Sequence, residues 1–311
     1  MTRNKLNIFL QIINNIQEMT TTTTTTTRLA NKNPHPRDTH IHFDEGPHKY
    51  TIQGINGVTA ETEFTSVTTL VHDQYERFNA KDVIAGMMRN KKKWNDPIAN
   101  HKYYGKTADE IEKMWAKSGQ DAAAKGTAMH HMIECFYNTD DAANADPATD
   151  PLEIIYFKKF HNDFVACEQS TLGPYRTEWT VFHEEARIAG SIDMVYEDTT
   201  TTTDDPPIVI YDWKRCREIT KTNPLFKFAS HPAIEHLPDT NFWHYALQLN
   251  IYKYILQTKY NKTVTDLYIV VLHPEAQNYQ RIKLPNLQSE VAELFEERIR
   301  NFAAAAAAVA K

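Results

Sequence analysis

The residues best suited to chemistry fall in two short apolar runs, Gly190-Ser191-Ile192-Asp193 and Ile208-Val209-Ile210-Tyr211-Asp212-Trp213-Lys214. Each reads as a strand. Residues i and i+2 of a strand share a face, so Asp212 and Lys214 project together, beside a neighbouring Asp193. Two carboxylates held close together repel, which raises one pKa unless a cation neutralises them. Oxygen donors of this hardness select Mg2+ or Mn2+. Such an ion lowers the pKa of a water and polarises a phosphoryl oxygen. Lys214 is placed to orient that nucleophile or to stabilise charge developing on the phosphoryl group. The chemistry expected of this set is phosphodiester hydrolysis; taken alone, the same spacing also fits a hairpin with surface Asp and Lys.

Further residues extend the set. Gly126-Thr127-Ala128-Met129-His130-His131-Met132-Ile133-Glu134 lies in a segment of helical composition from about Asp121 to Tyr137. His130 and Glu134 share a helix face by their i, i+4 spacing. Phe242 to Tyr260 reads as an amphipathic helix on which Gln248 and Tyr252 have the same spacing. In chain order the pattern is Gly-x-x-x-His, Glu178, Gly-x-x-Asp, Asp-x-Lys, Gln-x-x-x-Tyr. That order, from Gly126 to Tyr252, resembles the RecB-like branch of the PD-(D/E)XK nuclease superfamily. With Ser66-Val67-Thr68-Thr69-Leu70 and the Asp212-Trp213-Lys214 variant, it is most similar to the mitochondrial genome maintenance exonucleases and related nucleases of large DNA viruses.

The resemblance implies an α/β fold with a PD-(D/E)XK, restriction-endonuclease-like core, a mixed central sheet flanked by helices. It implies a metal-dependent deoxyribonuclease that prefers single-stranded DNA with a free end. Carried over residue by residue, His130, Asp193 and Asp212 are metal ligands together with the backbone carbonyl of Trp213. Lys214 is the catalytic lysine, Glu178 a further catalytic carboxylate, and Gln248 and Tyr252 line the DNA path. Glu134 matches an acidic position after the histidine. His130, not His131, holds the fourth position after Gly126, and on a helix its neighbour points roughly 100° away. An imidazole among carboxylates suits Mn2+ better than Mg2+, so Mn2+ is expected to work at least as well. The competing readings are a structure-directed endonuclease acting at flaps or branches, and a noncatalytic nucleic-acid-binding module. Intact Asp193, Asp212 and Lys214 argue against the second.

Composition fits such an enzyme. The 311 residues, 41% of them hydrophobic, suffice for one large domain with insertions or for a core plus a smaller appendage. No apolar run approaches the ~18 residues that a membrane span needs. A net charge of −6 argues against a protein that coats DNA but leaves room for a local cationic path. Cys135, Cys167 and Cys216 are too few for an iron-sulfur cluster, which needs four ligands, so none is expected. Nor do they form a secreted disulfide framework. An intracellular, reducing site is expected: cytoplasm, nucleus or a viral replication site.

Around this core the elements read as follows. Residues 1–38, with the threonine run Thr20 to Thr27, are expected to be a weakly ordered tail. Their first part could pass for a mitochondrial targeting helix, but such peptides are usually richer in arginine and serine. Residues 39–311 are read as the nuclease domain. Ile41-His42-Phe43 and Lys49-Tyr50-Thr51-Ile52 suggest a hairpin, and Thr65 to Val71 a strand leading into a helix. His40, His42 and His48 fit no closed zinc site. Residues 81–125 read as a helical, arch-like subregion in which Lys91, Lys92, Lys93 and Trp94 contact single-stranded nucleic acid, since phosphates need charge and splayed bases need stacking faces. The alternative there is a solvated helix pair. Thr199 to Thr203 falls in an expanded hairpin loop, Asp266 to His273 and Tyr279 to Leu284 read as strands, and a helix from about Leu287 runs through Ala303 to Ala308.

Overall fold

The computed structural model describes residues 27–309 except 56, 60, 99–101 and 140–148. In chain order it contains helix α1 (Arg28–Lys32), strands β1 (Ile41–Asp44), β2 (Lys49–Ile52) and β3 (Thr65–Ser66), and helices α2 (Val67–His72), α3 (Ala80–Arg89), α4 (Lys91–Trp94), α5 (Ala108–Asn138) and α6 (Leu152–Phe164). There follow β4 (Leu172–His183), β5 (Ile188–Asp198), β6 (Ile208–Lys214), α7 (Asn241–Lys259), β7 (Val264–Val271), β8 (Gln280–Lys283) and α8 (Gln288–Val309). β1 and β2 form the expected antiparallel hairpin. The other strands make one six-stranded mixed sheet with helices on both faces, the architecture anticipated from the sequence. Among the described residues, no helix is long and apolar enough to cross a membrane.

β5 organises the sheet. One of its edges pairs with β4 along its whole length, from Ile188 to Asp198. A strand has only two edges, so its other partners share the second. There, antiparallel β6 pairs with residues 194–197, and the short parallel β3 pairs with Ile188 and Ala189. Between these partners lies Gly190-Ser191-Ile192-Asp193. The strands β5 and β6 thus part just before Asp193 on one side and Asp212 on the other.

Alternation along β6 sorts its side chains into two layers. Ile208 and Ile210 belong to a core with Leu247, Ile251 and Ile255 of α7. Val209, Tyr211 and Trp213 pack instead with Phe157 and Phe160 of α6 and with Met129 and Ile133 of α5. By the same alternation Asp212 and Lys214 face the α7 layer. α7 departs from the expected amphipathic helix. It is wedged between the sheet and α8, and Phe242, Leu247, Leu249, Ile251, Tyr252 and Ile255 are all buried. Its buried Asn250 is satisfied by accepting from Leu287 N and donating to Pro285 O, so one polar residue serves as a clamp to the start of α8.

Two peripheral regions frame this core. α5 starts with a Thr107/Glu110 capping box, and none of its residues between Ile111 and Met129 is buried. That interval of helix spans about 27 Å. α3, followed by α4, packs on α5, and Phe78 just before α3 meets Trp115 of α5 at 6.0 Å between ring centres. At the other end, the tail expected over residues 1–38 gives way to structure from residue 28 onward. Leu29 is buried, and its N–H donates to Asn138 Oδ1. Asp38 accepts from Arg176 at 2.8 Å and from Trp179 Nε1 at 2.9 Å, and Arg37 pairs with Glu184 at 2.6 Å. Partners on β4 therefore fix turn-forming residues that look disordered on composition alone. The threonine run up to Thr26 and the candidate targeting stretch lie outside the described residues.

Gly190 is a sterically fixed point of the sheet gap. A Cβ there would lie 2.8 Å from Tyr252 Cε1 and 2.9 Å from Val67 Cγ2, both on buried side chains. Gly190→Ala is expected to destabilise the fold by ~1–3 kcal/mol through overpacking, read as a lower urea midpoint at unchanged m-value. An unchanged midpoint would show that Tyr252 and Val67 can move aside.

Candidate active site

Asp193 is the first β5 residue beyond the last rung shared with β6. With no ladder carbonyl opposite it, Trp213 N–H donates to the Asp193 side chain, Oδ2, at 2.9 Å. The Trp213 carbonyl lies 2.9 Å from His130 Nε2. A carbonyl only accepts, so Nε2 carries the hydrogen and Nδ1 is directed to the carboxylates. Nδ1 is 3.6 Å from Asp193 Oδ2 and 3.8 Å from Glu178 Oε1. Both backbone groups of Trp213 therefore position metal-binding candidates. The helix that brings His130 lies in the Trp213 layer, and the parting of β5 and β6 is where it meets Asp193.

Glu178 has a φ of 42° inside β4, a left-handed conformation that is strained for any residue but glycine. Its Oε2 accepts from Ser191 Oγ at 2.9 Å. Asp212 and Lys214 form the other half of the site. Lys214 Nζ is 2.6 Å from Asp212 Oδ2, 3.4 Å from Gln248 Oε1 and 4.5 Å from the centre of the Tyr245 ring. The approach to Asp212 is off the hydrogen-bonding direction, so this buried oxygen keeps acceptor capacity without an aligned donor.

The charges are strongly coupled to burial. Burial pushes the Asp212 carboxyl above the usual range and Asp193 adds to this, against the pull of Lys214. Asp193 is also raised by burial, despite His130. Burial would discharge Lys214, but Asp212 and Asp193 more than offset it and hold the ammonium protonated. For His130 burial lowers the pKa, while Asp193 and Glu178 raise it further, to about 9. Crowded, buried carboxylates with raised pKa values form a site that a cation would stabilise.

His130, Glu178 and Asp193 each offer one ligand atom, all within 4.8 Å of one another. One nitrogen and several carboxylate oxygens suit Mg2+ or Mn2+, and the unaligned Asp212 oxygen lies on the next strand. The donor group thus includes Glu178, and Asp212 stands beside it in its pair with Lys214. His183, Glu184 and Glu185 also cluster, but Arg37 and Lys259 already neutralise those carboxylates.

Of the remaining candidates, Gln248 joins the site through Lys214. Tyr252, expected along the DNA path, is only 3% exposed and packs beneath Gly190. Glu134 faces His131, 3.6 Å away, not the carboxylates. Lys91, Lys92 and Lys93 are exposed side by side on α4, with Trp94 half-buried. The sequence reading missed Ser191 and Tyr245. Ser191 precedes Asp193 by two on one strand, and Tyr245 precedes Gln248 by three on one helix, so spacing held a signal for both.

A family profile described as the PD-(D/E)XK nuclease superfamily matches residues 42–310. No curated protein matches the sequence. The solved structure described as "Crystal structure of SSO0001" is similar to this chain at 14% identity, with 79% of this chain and 78% of that chain covered and a TM-score of 0.26.

His130 must lose its proton to ligate a cation. Since its metal-free pKa is raised from 6.5 to about 9, protons compete with the metal throughout that interval. Mn2+ affinity, measured by calorimetry, is expected to rise with pH by up to about tenfold per unit, then to level off above pH 9. His130→Ala should weaken binding and remove most of the rise, whereas His131→Ala should keep it. An affinity independent of pH across this window would contradict the assignment.

Proposed function

Because the chain belongs to the PD-(D/E)XK nuclease superfamily, we propose that it is a metal-dependent exonuclease that prefers single-stranded DNA and hydrolyses its phosphodiester bonds by metal-activated water. The observation that carries this reading is the convergence of His130, Glu178 and Asp193 beside the buried Asp212–Lys214 pair. His130, Glu178, Asp193 and Asp212 would hold Mg2+ or Mn2+, while the Trp213 carbonyl, expected as a further ligand, accepts from His130 Nε2 on the side of the ring away from Nδ1. When bound, the ion supplies a nucleophilic water at neutral pH and a Lewis acid for the phosphoryl oxygen.

The chain's own groups do the rest. Lys214, kept charged by Asp212, would orient the attacking water or stabilise charge gained by the phosphoryl oxygens. Gln248 and Tyr245 fix the ammonium from the α7 side. Ser191 holds the Glu178 carboxylate, and Trp213 N–H holds that of Asp193. The α3–α4 extension, with Lys91, Lys92, Lys93 and Trp94, would carry the strand toward the site. This favours substrates whose bases are free and whose end can enter.

Lys214→Ala and Asp212→Ala are expected to lower cleavage of single-stranded DNA by at least about 100-fold, with strand binding largely retained because phosphate contacts elsewhere dominate affinity. Wild-type-like turnover in purified Lys214→Ala would remove the catalytic assignment. Linear single strands should be degraded in Mn2+ while circular strands of equal sequence persist. Comparable cutting of circles by a preparation whose Asp212→Ala counterpart is inert would instead make the protein an endonuclease.

A further inference from the structure

Large apolar side chains are unusually exposed in the connection between β6 and α7. Leu225 is 74% and Phe226 83% exposed, and Phe78, in the segment after α2, is 73% exposed. Phe226 also has a φ of 52°, a left-handed conformation unfavourable for an aromatic residue. A slack loop would relieve both conditions by folding the ring inward.

This loop is not slack. Phe226 N donates to Asn223 O at 3.0 Å, and Leu225 N donates to Asn223 Oδ1 at 2.8 Å. The Asn223 amide donates in turn to Asp239 O, and Asp239 N returns a bond to Lys227 O, both at 2.8 Å. Trp243 Nε1 donates to Lys221 O at 3.1 Å. Lys227 Nζ pairs with Glu76 at 2.6 Å, and Ser230 N donates to Gln74 O at 2.8 Å. Those bonds fasten the loop to the segment that carries Phe78. The surroundings thus over-determine a strained, solvent-facing ring, a pattern that marks functional surfaces.

The loop's position selects the ligand. It leaves the sheet directly after Lys214 and returns at Asn241, the first residue of the helix carrying Tyr245 and Gln248, so both its ends belong to the site. Lys221 and Lys227 flank the apolar pair in sequence, the first over the Phe242 ring and the second paired with Glu76. A strand whose phosphate is engaged by the site has unpaired bases to place, and their flat apolar faces match an exposed, rigidly held ring on the loop that joins the two halves of the site. We propose that Phe226, with Leu225, is a stacking wedge for unpaired nucleobases of the strand held at the site, an assignment that rests on the nuclease reading above.

Fluorescence anisotropy with Ca2+ in place of Mn2+ tests this, using an oligothymidylate and an abasic strand of the same length. Wild-type protein should bind the intact strand about tenfold more tightly than the abasic one. The Leu225→Ala/Phe226→Ala variant should bind both equally, at the abasic level, and Phe226→Trp should restore the preference. Phe226→Asn relieves the left-handed backbone, so its Tm should equal or exceed the wild-type value while base preference is lost. Equal wild-type affinity for the two strands, or an equal loss on both in the double variant, overturns the proposal. So does concentration-dependent self-association in sedimentation that the double variant abolishes, which would assign the patch to a second copy of the chain. Hydrolysis of bis(4-nitrophenyl) phosphate with Mn2+, active in wild type and lost in Asp212→Asn, checks the nuclease reading without any base. Its absence in wild type would overturn that reading, and with it the placement of the wedge beside a scissile strand.

Discussion

One edge of β5 has two partners and an interval between them, and the candidate site occupies that interval. Where β6 stops pairing, Trp213 N–H has no ladder carbonyl and takes the Asp193 carboxylate instead. Where β3 begins, Gly190 allows Val67 and Tyr252 to close against the strand. A continuous ladder would bring backbone, not side chains, into this space. The interrupted one lets a histidine from one helical layer meet carboxylates of the sheet.

That arrangement costs stability in isolation. Buried carboxylates crowd one another, and His130, Lys214 and the Trp213 N–H offset them. Removing one partner of such a set leaves a buried charge uncompensated, which is more damaging than never having built the pair. Burial, the strained backbone of Glu178 and the unaligned Asp212 oxygen all concentrate within the same few residues. Backbone strain beside buried, crowded charges is expected of a site that a ligand completes. The same logic applies at the rim, where Phe226 holds an unfavourable conformation on a well-bonded loop.

Much of this was legible in the residues. Alternating apolar runs gave β5 and β6, and with them the neighbourhood of Asp193, Asp212 and Lys214, because a strand's period fixes which side chains share a face. The hairpin of β1 and β2 and the strand-to-helix step at Thr65 followed from local pattern in the same way. Three features were not legible, each for a physical reason. Tyr252 reads as one stripe of an amphipathic helix, but α7 is covered on both sides, so spacing could not say whether that ring meets solvent. Residues 28–38 look like tail because their partners, Asn138, Arg176 and Trp179, are more than a hundred residues away in sequence. Glu178 was expected beside the site as a carboxylate one strand before Gly-x-x-Asp, but its left-handed backbone was not, because no composition encodes it.

Everything else depends on His130, Glu178 and Asp193 acting as a cation site in the β5 interval. Anomalous diffraction from crystals soaked in Mn2+ examines that directly. A single strong peak bounded by His130 Nδ1, Glu178 and Asp193, with Asp212 on its border, is the predicted result. A peak at His183, Glu184 and Glu185 instead, or no ordered ion in the interval at saturating Mn2+, would contradict it.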